Sequence, residues 1–201
     1  MSSNNPRLDK SGGRASELKD GRIPALAKRY FAKVQLADGR SLVIRAIVPE
    51  DKELLQEGMH HLSKRSRYNR FLTPKDELTP GELIYFTEVD MVNHVALGAI
   101  LVDCGETRPV GVARYIVNKN SDETRTAEVA FAVEDAHQGI GIGTMLFKHL
   151  AEIARANGIT EFTGIVLPSN HRMLNIFAHS GLVMKKTLNI AGVYEVRLAL
   201  L

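Results

Sequence analysis

The chain has 201 residues, of which 44% are hydrophobic, and this is enough for one domain with a full core. Its formal charge of +3 is concentrated in residues 1–30, which carry seven Lys/Arg and three Asp/Glu, so the remainder is close to neutral. A near-neutral domain disfavours nucleic-acid binding. No apolar run approaches the ~20 residues that a membrane span needs, and the first residues lack the apolar core of a signal peptide, so the cytoplasm is the expected location.

The first residues differ in composition from the rest of the chain. Residues 1–25 are rich in Ser, Asn, Gly and charged side chains, and we predict that they form a disordered basic leader. We predict that residues 26–201 form the folded domain. The single cysteine, Cys104, follows an apolar run and cannot form an internal disulfide, so a structural thiol in a reducing compartment is expected.

A hairpin and two helices are predicted in the first half of the chain. Two alternating runs, Phe31–Leu36 and Ser41–Ile47, flank Asp38-Gly39, which is a strong hairpin signal. A helical pattern follows from Pro49 to about Leu62. Another helix opens at Thr79, where Thr-Pro-Gly-Glu provides a capping box. The basic segment between these helices is assigned no element.

The second half alternates strand and helix patterns. Strands are predicted at His94–Asp103, Pro109–Asn118, Ala127–Val133, Phe162–Leu167, Leu182–Lys186 and Val193–Ala199. Helices are predicted at Ile142–Asn157, which ends on an Asn-Gly pair, and at Asn170–His179.

The most informative stretch lies between a strand and a helix, at Gln138 to Thr144, and reads Q-G-I-G-I-G-T. Glycines leave the backbone bare where a helix start carries unpaired N–H groups and a partial positive charge, so a phosphate can approach closely. A dinucleotide fingerprint would need glycine at Thr144, and a Walker loop would need a lysine after Gly143. The spacing therefore excludes both, although a glycine-rich packing turn remains an alternative.

With its flanks, V-E-D-A-H-Q-G-I-G-I-G-T-M-L resembles the acetyl-CoA pyrophosphate loop of the GNAT superfamily of N-acetyltransferases. The resemblance implies an α+β fold with a mixed, mostly antiparallel sheet of about seven strands and about four helices. It also implies that acetyl-CoA is the co-substrate, held by backbone groups of the loop and of the strand before it, and by an asparagine. The implied cofactor-binding residues are Phe131, Ala132, Val133, Gln138, Gly139, Ile140, Gly141, Ile142, Gly143, Thr144 and Asn170.

Glu128 lies on the strand before the loop, on one face with Ala130 and Ala132. Small neighbours leave room for an amine, and apolar surroundings would raise the pKa of a carboxylate, so Glu128 is the expected general base. A solvent-facing structural glutamate is the alternative. The segments A-E-V-A-F-A-V and L-S-K-R-S-R-Y-N-R-F resemble the catalytic domain of Pat-type bacterial protein lysine acetyltransferases, in which a matching glutamate is the base.

The expected activity is transfer of an acetyl group to a lysine amine of a protein by direct attack. Two alternatives stay open: a small amine or amino acid as acceptor, and a non-catalytic acetyl-CoA sensor. No metal is expected, because the seven histidines show no ligand spacing. Asn170 also suits a helix N-cap. Phe177 departs from the family pattern, which places a proton-donating tyrosine there.

Overall fold

The structure is a computed structural model that describes residues 30–103, 105–118 and 125–200. The predicted leader over residues 1–25 and the predicted structural thiol of Cys104 both lie outside the described residues.

Eight strands and five α-helices make up the described part of the chain. The strands are β1 (Phe31–Gln35), β2 (Ser41–Ala46), β3 (His94–Asp103), β4 (Glu106–Val117), β5 (Thr126–Val133), β6 (Glu161–Val166), β7 (Val183–Leu188) and β8 (Tyr194–Ala199). The helices are α1 (Lys52–His61), α2 (Lys64–Phe71), α3 (Pro80–Thr87), α4 (Ile142–Ala156) and α5 (His171–Ala178).

The strands form one sheet in the order β1-β2-β3-β4-β5-β6-β8-β7. Every neighbouring pair is antiparallel except β5 and β6, which are parallel and are joined through α4. The hairpin between β1 and β2 turns at Gly39, whose φ of +87° a residue with a side chain rarely adopts. The predicted mixed, mostly antiparallel α+β fold is confirmed, with eight strands and five helices instead of about seven and four.

The additional helix is α2, which occupies the basic segment left unassigned by the sequence pattern. Ser63 caps it by accepting a hydrogen bond from the Ser66 backbone N–H. None of its residues is fully buried, so there is no apolar stripe for periodicity to detect. The helix is instead attached by polar contacts to the loop that follows β5.

The sheet has helices on both faces, and the side chains of β5 alternate between the two faces. Ala127, Val129 and Phe131 face the larger core, where Phe131 packs against Phe147 of α4 and Phe177 of α5. Ala132 faces the other side and packs against a small cluster beneath α1 to α3, formed around Met59, Leu62 and Leu78. The strict alternation of a strand places Glu128 and Ala130 on the same side as Ala132.

Candidate active site

The sheet opens between β5 and β6. These strands share only three register pairs, Thr126 with Glu161, Ala127 with Phe162 and Glu128 with Thr163. No further pair joins them within the described ranges, although β5 continues to Val133 and stays paired with β4 along that length. The β6-facing backbone groups of β5 beyond Glu128 are therefore available to a ligand that lies along the strand.

The glycine loop lies at the end of β5 and leads into α4. Gly139 and Gly141 have φ values of +85° and +96°, and a Cβ built on either one meets open space. Gly141 is the N-cap of α4, and no described side chain caps the first N–H groups of this helix. The helix start therefore presents bare, unpaired N–H groups, which is the arrangement that binds a phosphate.

Gly143 has a different environment from the other two glycines. It is buried in the first turn of α4, where a Cβ would lie 2.8 Å from Cδ1 of Ile176 on α5. Its small size therefore serves the packing of two helices. The packing alternative considered for the loop applies to Gly143, whereas the backbone conformation explains Gly139 and Gly141.

The side chain of Gln138 connects the loop to its surroundings. Its amide nitrogen donates to the Val133 carbonyl at 2.8 Å and to Ser66 Oγ at 3.3 Å, and its oxygen accepts from Arg172 Nη1 at 2.6 Å. The side chain thus joins the end of β5 to α2 and α5. The backbone N–H of Gln138 donates to the Asp135 carbonyl at 3.4 Å, so Gln138 supports the loop from the side and leaves the bare N–H groups to the residues that follow it.

Asp135, in the turn before the loop, holds the start of α2. Its carboxylate accepts from the Ser63 N–H at 2.8 Å, from Ser63 Oγ at 2.9 Å and from Ser66 Oγ at 2.8 Å. Partial burial raises the pKa of Asp135, but these hydrogen bonds outweigh it and hold the pKa below its usual value. The carboxylate is therefore ionised at neutral pH and fixes α2 beside the loop.

A cleft of about 590 Å³ lies between β5, the glycine loop, α2 and the start of α5. Of the eleven predicted cofactor-binding residues, nine line it: Phe131, Ala132, Val133, Gln138, Gly139, Gly141, Gly143, Thr144 and Asn170. The other two, Ile140 and Ile142, have side chains in the core, so only their backbone groups could contribute.

The cleft also has basic residues that the glycine pattern did not identify. Arg65 on α2 and Arg172 on α5 both line it, together with His171, and Arg65 donates to the Ser169 carbonyl just before α5 at 3.2 Å. The signal for Arg65 was the basic segment, which the sequence alone could equally have placed on a solvated helix face. Arg172 is an isolated arginine in the sequence, and only the fold brings it to the loop.

Asn170 and Phe177 mark the two ends of α5. Asn170 is the N-cap, and its side chain accepts from the Met173 N–H at 3.3 Å while it also lines the cleft. Phe177 is fully buried against Phe131 and Phe147. The position at which the family pattern suggested a tyrosine therefore faces the core, and α5 presents Asn175 and Ile176 to the cleft instead.

Glu128 lies in the last register pair before β5 and β6 part, three residues before Phe131. Its side chain is exposed, so the apolar surroundings expected from the sequence are not found. Sequence alternation identified the small neighbours Ala130 and Ala132 but could not show what covers this face. The charged neighbour is Arg70 of α2: burial lowers the pKa of Arg70 to about 10, while the charge of Glu128 opposes the shift.

The described residues contain no group of three or more His, Cys, Asp or Glu side chains arranged to hold a metal ion. Among the helices that the structure describes, none combines the length and the apolar character required to cross a bilayer.

Several known acetyltransferases are similar to this chain. The model of the acetyltransferase (GNAT) family matches residues 57–182, which is more than half of the chain. An acetyltransferase of Pseudomonas aeruginosa is 31% identical over 148 residues, covering 74% of this chain and 78% of that protein. Acetyltransferase Pat of Mycolicibacterium smegmatis is 31% identical over 157 residues, covering 75% of this chain but only 44% of its own length.

A solved structure agrees with these sequence matches. The GNAT domain of S. lividans PAT superposes with a TM-score of 0.75 at 33% identity, covering 84% of this chain and 96% of that domain. The chain therefore belongs to the acetyltransferase (GNAT) family, and its catalytic domain is similar to that of Pat-type enzymes.

Proposed function

We propose that the protein is an N-acetyltransferase that moves an acetyl group from acetyl-CoA to a lysine amine of a protein, with Glu128 as general base. The observation that carries this proposal is the position of Glu128, in the last register pair before the sheet opens and on the strand that leads to the glycine loop. Glu128 itself does not line the cleft, but its charged neighbour Arg70 does. The resemblance of the chain's sequence segments to Pat-type protein lysine acetyltransferases supports a protein acceptor.

The residues of the cleft fit acetyl-CoA. The bare helix start at Gly141 and the flanking Arg65 and Arg172 suit a pyrophosphate, and the open edge of β5 suits the amide-bearing pantetheine arm. Acetyl-CoA supplies an activated thioester when bound. The contribution of the chain is to hold this group in place and to leave its acyl end near Glu128.

Glu128 would act on the acceptor amine. A lysine ammonium, with a pKa near 10.4, has no lone pair and must lose a proton to attack. The nitrogen becomes far more acidic as the C–N bond forms, so a carboxylate can accept the proton during attack and release it to solvent. The exposure of Glu128 provides that exit, and Arg70 is its charged neighbour.

The Glu128→Gln variant tests the proposal. We expect kcat for acetyl transfer to fall by about 10²–10⁴, the usual scale for loss of a general base, with the Kd for acetyl-CoA unchanged. Glu106→Gln, which alters an exposed glutamate at the start of β4, is the matched control and should keep wild-type turnover.

The acceptor is identified by incubating labelled acetyl-CoA with a cell lysate and each variant. Labelled protein bands that require Glu128 support the proposal, whereas label confined to small molecules would assign a small amine as acceptor. Binding of acetyl-CoA without transfer would indicate a sensor. Near wild-type turnover of Glu128→Gln at saturating substrate would remove Glu128 from the mechanism.

The remaining sequence-based expectations stay predictions. They are the bacterial source, the cytoplasmic location and the division into a basic leader over residues 1–25 and a GNAT domain over residues 26–201.

A further inference from the structure

A second cavity lies beside the main cleft, between the sheet and helices α1 to α3. It has a volume of about 100 Å³ and is walled mainly by apolar side chains, among them Leu55, Met59, Phe71 and Phe86. Arg70 and Ala132 line both this inner cavity and the main cleft. A group attached to a ligand on β5 would therefore lie next to the boundary that Arg70 and Ala132 form between the two spaces.

One wall of the inner cavity carries a buried arginine. Arg114 of β4 is 3% exposed, and its Nε has no hydrogen-bond partner among the described residues. Its Nη1 makes two long contacts of 3.3 Å, to the Phe86 carbonyl and to Nε2 of His94. Because a guanidinium group can only donate, His94 accepts here as a neutral imidazole.

No carboxylate of the described residues pairs with Arg114. The two acidic residues that line the cavity are already paired: Asp51 binds Arg45 through both oxygens, and Glu134 binds Arg108. The guanidinium groups of Arg114 and Arg70 both lie over the Phe86 ring, at 4.1 and 5.9 Å from its centroid. A cation–π contact offsets only part of the cost of burying a charge.

The charge of the cavity wall is therefore unbalanced. The negative charge of Glu128 interacts with Arg70 and not with Arg114, so Arg114 has no neighbouring anion within the described part of the chain. Burial and the charge of Arg70 lower the pKa of Arg114 to about 9, so the guanidinium is still protonated at pH 7. A buried cation with an unpartnered N–H at the wall of an apolar cavity is suited to bind a carboxylate brought in by a ligand.

We propose that Arg114, supported by Arg70, binds the terminal carboxylate of a short acidic acyl group, so that the enzyme accepts dicarboxylic acyl-CoA thioesters such as malonyl-CoA. This inference rests on the proposed use of a CoA thioester. The volume of the inner cavity suits a short acyl tail better than a whole acceptor molecule, because about 100 Å³ accommodates roughly three water-sized groups. In the transfer, the amine nitrogen bonds to the thioester carbon, the C–S bond breaks and the free carboxylate is unchanged.

Two thioesters of matched shape test the proposal on the wild-type protein. Isovaleryl-CoA carries two methyl groups where malonyl-CoA carries the carboxylate oxygens. We expect malonyl-CoA to raise the melting temperature more than isovaleryl-CoA at equal concentration, and to have a kcat/KM at least about tenfold higher. Equal melting shifts and equal kcat/KM for the two thioesters would overturn the proposal.

The Arg114→Met variant keeps an unbranched apolar stem of similar length and removes the charge. We expect kcat/KM for malonyl-CoA to fall by about 100-fold, with acetyl-CoA affected less than about threefold, and the difference in melting shift to disappear. Arg114→Lys should retain part of the preference. A preference that persists in folded Arg114→Met would assign the carboxylate to another residue and contradict the proposal.

Two further outcomes separate this inference from the proposed function. If no acceptor is modified with any thioester, the melting comparison still decides whether the carboxylate is bound. If acetyl-CoA works well only with acceptors that carry a carboxylate near the amine, and Arg114→Met removes that preference, then the carboxylate belongs to the acceptor and the acyl assignment is wrong.

Discussion

The three glycines of the loop are required for two physically different reasons. Gly139 and Gly141 adopt positive φ angles, which bring backbone N–H groups to the cleft and which residues with a Cβ adopt only with strain. Gly143 has an ordinary helical backbone and is small because Ile176 packs against it. The same substitution should therefore have different consequences at Gly141 and Gly143.

Gly141→Ala should destabilise the fold by about 1–2 kcal/mol, the cost of a left-handed residue with a side chain, and should raise the KM for acetyl-CoA. Gly143→Ala should lose stability because the new methyl group lies too close to Ile176. Since valine lacks the Cδ1 atom, adding Ile176→Val to Gly143→Ala should recover most of that loss. Urea unfolding of the wild type, Gly141→Ala, Gly143→Ala and the double variant measures these losses. A double variant as unstable as Gly143→Ala would show that Ile176 is not the cause.

Helix α2 illustrates how the start of an element can be held by polar contacts, while only its last residue, Phe71, packs against the small apolar cluster. It has no fully buried residue, and Asp135 accepts three hydrogen bonds from its first turn. The same helix carries Arg65 and Arg70, which line the cleft. The position of two cleft arginines therefore depends on a carboxylate in a different part of the chain.

Asp135→Asn should loosen α2. Three donors of the helix start point at the two oxygens of Asp135, and an asparagine would replace one of these oxygens by an NH₂ group that cannot accept. We expect a stability loss of about 1–3 kcal/mol. Amide exchange over residues 64–71 should be faster, and the KM for acetyl-CoA should be higher while kcat changes less. Unchanged exchange in α2 would mean that other contacts hold the helix.

The depressed pKa of Asp135 gives this contact a defined pH dependence. A carboxylate with a folded-state pKa below its unfolded value near 3.9 stabilises the fold at higher pH, and this contribution is lost as the pH falls through the folded value. The wild-type protein should therefore lose more stability than Asp135→Asn on acidification below about pH 4.

Local signals in the sequence predicted most elements of the fold. Asp38-Gly39, the Thr79 capping box and the apolar spacing of α4 each have a physical cause confined to a few residues, and each is found in the structure. Helix α2 was missed because its anchor, Asp135, is about 70 residues away along the chain. The exposure of Glu128 and the burial of Arg114 were also unpredictable, since both depend on how α1 to α3 cover the sheet.

The described fold starts at Tyr30, and its core includes residues from Leu36 to Leu200. Because Tyr30 packs against this core and is hydrogen-bonded to His149, a boundary at residue 26 removes none of the described core residues. Deleting residues 1–25 should leave kcat and KM within about twofold, with a melting temperature within ~2 °C. Activity assays and calorimetry on the shortened protein check this, and a large loss of either would extend the domain into the leader.

The parting of β5 and β6 also affects how long the folded protein survives. A strand that is unpaired on one side resembles the edge strands through which proteins aggregate. A ligand that binds only the folded state at 100 times its Kd adds about 2.7 kcal/mol to stability. The resistance of this enzyme to unfolding and proteolysis should therefore rise and fall with the supply of its thioester.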